Sequence, residues 1–333
     1  MNATLNATEA VRSQTLYCKV NTTPRFRIIR AAHLGMCFGV RDAISLAVEK
    51  TQGEPVTILG ELVHNPIVLD HLRSQGVQIE HQLTNVQTST VMITAHGASE
   101  KTMGAVRERG LKVVEATCPL VHHAHRVVSQ MVKDGYHPII IGKHDHVEVR
   151  GMTEDLGEFD VVLSEADVAA LRERAKFGIA AQTTQPIHWV RYLVGLICIR
   201  FPNAQIRFVD TVCQPTKQRQ TAAIDLAQNS DVVIVIGGPN SNNTRELVKT
   251  CLEFCERVHH IQTADDLRED WFDDVEAVGL TAGTSTPDWI IDAAEGRLKG
   301  WANGAARNGG SAGTHLRSKA SAGQAPPPDW AIW

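Results

Sequence analysis

Aromatic side chains are scarce in this chain, at 5% of 333 residues, and lysine and arginine nowhere form a long run. Base stacking needs the first and neutralising a phosphate backbone needs the second, so no nucleic-acid partner is expected. No apolar stretch reaches the roughly 20 residues that cross a bilayer, and no membrane partner is expected. The first residues, MNATLNATEAVRSQ, lack the basic segment and apolar core of a secretion signal, which points to a cytoplasmic protein. The seven cysteines are then not expected to form a disulfide framework. None of them forms a Cys-x-x-Cys pair, the usual mark of a zinc site.

What is present is a globular composition, 43% hydrophobic with a net charge of −4, in a chain long enough for two or three domains. Short β-branched runs alternate with amphipathic stretches. Strands are predicted at RFRIIRA, VTILG, VMITAHG, KVVEAT, HPIIIG, FDVVLS, FGIAAQ, QIRFVDT, DVVIVIG, RVHHIQ and VEAVGLTAG. Helices are predicted after most of them, such as GVRDAISLAVEKT, NPIVLDHLRSQG, SEKTMGAVRERG, PLVHHAHRVVSQMVKDG and TKQRQTAAIDLAQN. That alternation implies an α/β fold with mainly parallel sheets, whose ligands bind beyond the carboxyl ends of the strands. Residues 1–25 and 301–333 are polar or rich in Gly, Ala, Ser and Pro and read as flexible tails.

A threefold pattern runs through the rest. Cys37, Cys118 and Cys213 each follow a strand-like run and open a helix, and Gly60, Gly142 and Gly238 follow them by 23, 24 and 25 residues. Each glycine ends an apolar run and precedes a polar cluster: LVHNP with His64, KHDHVE with His146 and Glu148, and PNSNN with Ser241, Asn242 and Asn243. A second polar loop follows in each third, at His96, Thr183 and Ser285. The repeat divides the chain into domains at 26–117, 118–212 and 213–300, meeting at one point with one thiol from each. Cys18, Cys198, Cys251 and Cys255 lie outside it and read as incidental or small buried thiols.

Spacing alone leaves three readings of the repeated thiols open: an iron–sulfur cluster caged between domains, which it favours, a zinc ion, or three unrelated cysteines. With three ligands a four-iron cluster keeps one open iron, which could act as a Lewis acid. Imidazoles, hydroxyls, amides and helix N-termini form an anion site without lysine or arginine, and a phosphate or diphosphate suits that inventory. Singly, each histidine reads as structural; the repeat is what raises the set above that. A carboxyl at Glu148, among apolar walls and near a bound anion, should have a raised pKa, which suits a proton donor.

The segments GMCFGVRDAI, ELVHNPIVLDHLRSQGV, TAHGAS, ATCPLV, IGKHDHVEVRGM, QTT, DTVCQPTKQRQ, GGPNSNNTREL and TAGTSTPDWI, in this order, resemble the 4-hydroxy-3-methylbut-2-enyl diphosphate reductase family from about residue 28 to 298. The resemblance implies three α/β domains in pseudo-threefold arrangement around a central [4Fe–4S] cluster held by Cys37, Cys118 and Cys213. It implies diphosphate binding by His64, His96, His146, Ser241, Asn242, Asn243 and Ser285, Thr183 beside the substrate hydroxyl, and Glu148 in the proton relay. It also implies a two-electron reductive dehydroxylation yielding isopentenyl and dimethylallyl diphosphates, with ferredoxin or flavodoxin as electron donor; a monomer is expected. Asn242 departs from the family pattern, which has serine there. Two alternatives are a non-catalytic iron–sulfur redox sensor, suggested by the tails, and a paralogue acting on another allylic diphosphate.

Overall fold

The structure, a computed structural model, describes residues 24–304. The tails expected at 1–25 and 301–333 fall almost wholly outside them, except that the last helix runs to Asn303, past the boundary expected at residue 300. The strands in chain order are β1 (Arg27–Arg30), β2 (Val56–Leu59), β3 (Gln78–Glu80), β4 (Thr90–Ile93), β5 (Lys112–Glu115), β6 (His137–Ile141), β7 (Asp160–Val162), β8 (Lys176–Ala181), β9 (Gln205–Phe208), β10 (Val232–Ile236), β11 (Val258–Ile261) and β12 (Ala277–Ala282). The helices are α1 (Phe38–Thr51), α2 (Pro66–Ser74), α3 (Glu100–Glu108), α4 (Pro119–Lys133), α5 (Val147–Thr153), α6 (Glu165–Ala170), α7 (Ile187–Arg200), α8 (Gln214–Gln228), α9 (Asn242–Leu252) and α10 (Asp288–Asn303). Strand β3 is too short and polar (Gln-Ile-Glu) to carry a sequence signal and was not among the predicted strands.

The strands form three four-stranded sheets of one topology: β3-β2-β4-β5, β7-β6-β8-β9 and β11-β10-β12-β1. Every pairing is parallel. The central strands are buried along their length, as in Val232–Ile236, because helices cover both faces.

One expected boundary is corrected. Residues 26–117 do not form one unit, because β1 lies in the third sheet, in register with β12 from Arg27 opposite Ala277 to Arg30 opposite Leu280. An isolated Arg-Ile-Ile-Arg strand looks the same whichever sheet it joins; the long-range pairing decides.

This arrangement explains where the cysteines stand. The edge strands β5, β9 and β1 lead to Cys118, Cys213 and Cys37, and each cysteine is the residue immediately before a helix. That helix then covers the next sheet. Ala43 and Ala47 of α1 pack with Val56 and Ile58, Ala124 and Val128 of α4 with Ile140 and Ala180, and Ala222 and Leu226 of α8 with Val233 and Val235. Each thiol therefore sits at a junction where the chain passes from one sheet to another.

Polar contacts tie the units together near these junctions. The Asn65 side chain accepts from the Ile67 amide to cap α2 and donates to the Ser285 carbonyl at 2.8 Å, joining the first unit to the third. The Asn242 amide reaches Thr184, at 3.3 Å to its carbonyl and 3.1 Å to its hydroxyl, joining the third to the second. Asp155, just beyond α5, accepts from the Glu100 and Lys101 amides at 2.7 and 3.0 Å, and Glu154 accepts from Ser99 at 2.8 Å. The second unit thus supplies carboxylates to the positive end of α3 in the first. Gly238 fits tightly against the first unit: a Cβ there would stand 2.3 Å from the His64 carbonyl oxygen.

Candidate active site

The three histidines of the repeat meet. The rings of His64 and His96 stack at 4.3 Å between centroids, and His146 stands edge-on to them at 5.1 and 5.7 Å. His146 precedes α5, and its Nδ1 accepts from the Glu148 amide at 3.2 Å, which leaves Nε2 as the protonated nitrogen of the neutral ring. His64 Nδ1 lies 2.9 Å from Glu61. Burial, together with His64, Lys143 and Arg245, pushes His146 down to about 3. Burial, with His64 and His146 beside it, holds His96 well below the usual imidazole range. Burial thus disfavours the charged form of both His96 and His146.

Several buried polar atoms around them have no partner: His64 Nε2, His96 Nδ1, Asn243 Nδ2 and Ser285 Oγ. Buried polar atoms are nearly always satisfied, so a group of orphans drawn from two units marks the place of a polar ligand. Asn243 is oriented by its Oδ1, which accepts from the Thr284 amide at 3.0 Å. Ser241 caps α9, accepting from the Thr244 amide at 3.3 Å, and its hydroxyl hydrogen stays available. The Asn242 side-chain amide donates to Thr184.

A cleft of about 710 Å³ opens beside the triangle, lined by His64, Gly97, Lys143, His146, Asn240 and Arg245. Its three cations, Lys143, Arg150 and Arg245, which share the lining with Glu61, Asp145 and Glu154, were missed by the sequence reading, which built the anion site from neutral donors. Lys143 lies between Gly142 and His146 of the second repeat, a position that could have raised it.

Glu148 is 1% exposed, and burial pushes its carboxyl up to about 7 despite two hydrogen bonds from Thr183 that oppose the rise. The Thr183 amide donates to Oε1 at 2.6 Å and the Thr183 hydroxyl lies 3.0 Å from Oε2. The raised pKa expected from sequence is therefore present, and the carboxyl is half protonated near neutrality.

The three thiols stand in equivalent places. Their backbone amides donate to Thr284, Ala95 and Thr183 carbonyls, at 3.1, 3.1 and 2.9 Å for Cys37, Cys118 and Cys213. Each carbonyl belongs to the second polar loop of a unit, so the same bond is made three times. First-turn amides approach the sulfurs of Cys118 and Cys213, opposing the burial that raises the first thiol and pushes the second up to about 11. Gly39 makes room for the second sulfur: a Cβ there would lie 2.4 Å from Cys118 Sγ. Arg219, buried in α8, donates to the Gly35 carbonyl at 3.0 and 2.6 Å and to that of Pro215 at 2.9 Å, placing a cation close to Cys37 and Cys213.

Soft thiol donors, helix N-termini and a buried guanidinium together suit an anionic iron–sulfur cluster. Among the described residues no three His, Cys, Asp or Glu side chains are gathered tightly enough to share one ion. The remaining described cysteines are separate: Cys251 and Cys255 are buried under the third sheet and Cys198 is exposed on α7. Among the described residues no helix is long and apolar enough to cross a membrane.

Comparison with known proteins agrees with this geometry. The sequence model of the LytB protein family matches residues 28–299. The 4-hydroxy-3-methylbut-2-enyl diphosphate reductase of Geobacter metallireducens is 39% identical over 274 residues, 82% of this chain and 96% of that protein. The reductase of the same name from Aquifex aeolicus is 38% identical over 279 residues, with 82% and 96% covered. A solved (E)-4-hydroxy-3-methyl-but-2-enyl diphosphate reductase, described as the terminal enzyme of the non-mevalonate pathway, superposes with a TM-score of 0.62 at 37% identity, covering 82% of this chain and 98% of its own. The Plasmodium falciparum E-1-hydroxy-2-methyl-but-2-enyl-4-diphosphate reductase superposes with a TM-score of 0.76 at 28% identity, with 81% and 86% covered. The chain thus belongs to the LytB protein family, that of the 4-hydroxy-3-methylbut-2-enyl diphosphate reductases.

Proposed function

We propose that this protein reductively dehydroxylates 4-hydroxy-3-methylbut-2-enyl diphosphate to isopentenyl and dimethylallyl diphosphates, the last step of the non-mevalonate isoprenoid pathway. The observation that carries the reading is the set of buried, partnerless polar atoms from two units beside one protonatable carboxyl and three cysteines at helix N-cap positions. The reaction takes up two electrons and two protons; the C–O bond breaks, water leaves and a C–H bond forms.

Cys37, Cys118 and Cys213 would hold a [4Fe–4S] cluster. When bound, that cluster supplies the electrons and an open iron that polarises the substrate hydroxyl. The chain's own groups do the rest. His64, His96 and His146 grip the diphosphate with Ser241, Asn243 and Ser285, and the unpartnered Asn243 Nδ2 and Ser285 Oγ gain charge-assisted hydrogen bonds. Lys143 and Arg245 draw the anion to the cleft. Glu148 holds a proton at Oε2, and Thr183 Oγ1 passes it toward the leaving oxygen. Asn242 stabilises the joint between two units. Ferredoxin or flavodoxin is the proposed electron donor, and the proposed form is a cytoplasmic monomer.

Anaerobically reconstituted protein, assayed with the hydroxylated diphosphate and a strong reductant, tests the reading. Turnover to the two products is expected. A fully loaded protein that consumes no substrate would overturn it.

A further inference from the structure

We infer that the Thr216 hydroxyl tunes the redox centre by donating a hydrogen bond to the Cys213 sulfur, a role that the other two thiols lack a partner for. This rests on the cluster reading above. Thr216 Oγ1 lies 3.1 Å from Cys213 Sγ, and Thr216 is 0% exposed. The two residues are three apart at the start of α8, so the hydroxyl of the first turn faces back to the capping sulfur.

The threefold arrangement supplies an internal comparison. The residues three positions after Cys37 and Cys118 are Val40 and Val121, which offer only backbone amides. The three junctions are otherwise alike, each with a thiol before a helix and an amide bonded to a loop carbonyl. The hydroxyl is therefore an added feature of one site and not a requirement of the motif.

A deprotonated sulfur accepts only, so the hydroxyl becomes the donor once the thiol is a ligand. Adding an electron raises the negative charge on the ligand sulfurs, and a hydrogen bond to sulfur strengthens with that charge. It favours the reduced state and raises the reduction potential. Because Thr216 is fully buried, water cannot replace its hydroxyl. Thr216 is thus a positioning and tuning residue, acting through Cys213.

The test is a reductive titration of anaerobic holoenzyme followed by EPR, in wild type, Thr216→Val and Thr216→Ser. The valine variant is expected to be reduced at a lower potential, by about tenfold in the reduction equilibrium, which is about 59 mV for one electron. The serine variant, which keeps the hydroxyl, is expected to stay near wild type. Should valine prevent cluster assembly, Thr216→Ala compared with Thr216→Ser reads the same difference. A hydroxyl-free variant that carries the cluster and titrates with wild type overturns the inference while leaving the cluster reading intact. A wild-type protein that takes up no iron and sulfide overturns both.

Discussion

Thr183 engages both oxygens of Glu148, its amide donating to Oε1 at 2.6 Å and its hydroxyl lying 3.0 Å from Oε2. The carbonyl of the same threonine accepts from the Cys213 amide at 2.9 Å. One residue therefore joins the protonatable carboxyl to the third thiol junction. The proton side and the electron side of the proposed reaction share this one residue.

Glu148→Gln keeps the shape and removes the proton. It is expected to retain the cluster and lose turnover by about 10²- to 10⁴-fold, the usual contribution of a general acid. Iron content with steady-state kinetics checks this, and wild-type turnover would remove Glu148 from the proton path.

The pH dependence follows from the same carboxyl. Its folded pKa, about 7, lies above its ordinary value of 4.5. Its contribution to stability is thus fully present below 4.5 and is lost as pH rises through about 7, by up to roughly 3 kcal/mol. Turnover that needs the protonated form should fall over the same rise. Rate profiles and thermal unfolding from pH 5 to 8 should show both trends, and both should be absent in Glu148→Gln.

On the acid side His146 has the opposite sign. Its folded pKa is depressed to about 3 from 6.5, so its contribution is present above 6.5 and lost as pH falls toward 3. His146→Asn preserves an oxygen that can cap α5 and is expected to flatten that loss. Unfolding curves between pH 4 and 7 decide it; an unchanged slope in the variant counts against the assignment.

Gly39→Ala should damage the proposed cluster site directly. The added methyl would lie 2.4 Å from Cys118 Sγ, and both the first turn of α1 and the thiol are fixed by backbone hydrogen bonds. Iron and sulfide analysis after reconstitution is expected to show at least a severalfold loss of cluster, with near-normal far-UV circular dichroism. Full occupancy would show that the two helices can part there.

Asn242→Ala removes the link between the third unit and Thr184. The expected cost is about 1–2 kcal/mol of stability, for a partly buried amide and the acceptors it leaves behind. The Michaelis constant should rise more than the turnover number falls, since the proposed diphosphate donors Ser241 and Asn243 flank it. A variant with unchanged stability and unchanged kinetics would mean that the contact is incidental.

Much of the site was legible because its chemistry repeats. His64, His96 and His146 are unremarkable singly, but their equivalent places in three α/β repeats forced them onto the same kind of sheet edge. A raised pKa at Glu148 was legible only through the repeat, since by itself a carboxyl there reads as a helix cap or a surface acid. Thr216, Arg219 and Asn65 were not singled out. Asn65 acts on a partner in a different unit, and Thr216 and Arg219 act through close contacts within one; neither kind of link has a periodic signal. Asn242 was placed among the diphosphate ligands through the family resemblance, and the bond of its amide to Thr184 was not legible.

The sequence by itself determined the α/β class, the three thiols, the histidines and the carboxyl, because strand and helix periodicity and loop position depend on local residue order. Only the tertiary structure decided that β1 closes the third sheet, and that the thiols stand at junctions between sheets. It alone also decided which donors remain unsatisfied and that the carboxyl titrates near neutrality. Hydrogen bonding between distant strands and desolvation inside a packed junction are properties of neighbours in space, which residue order does not encode locally.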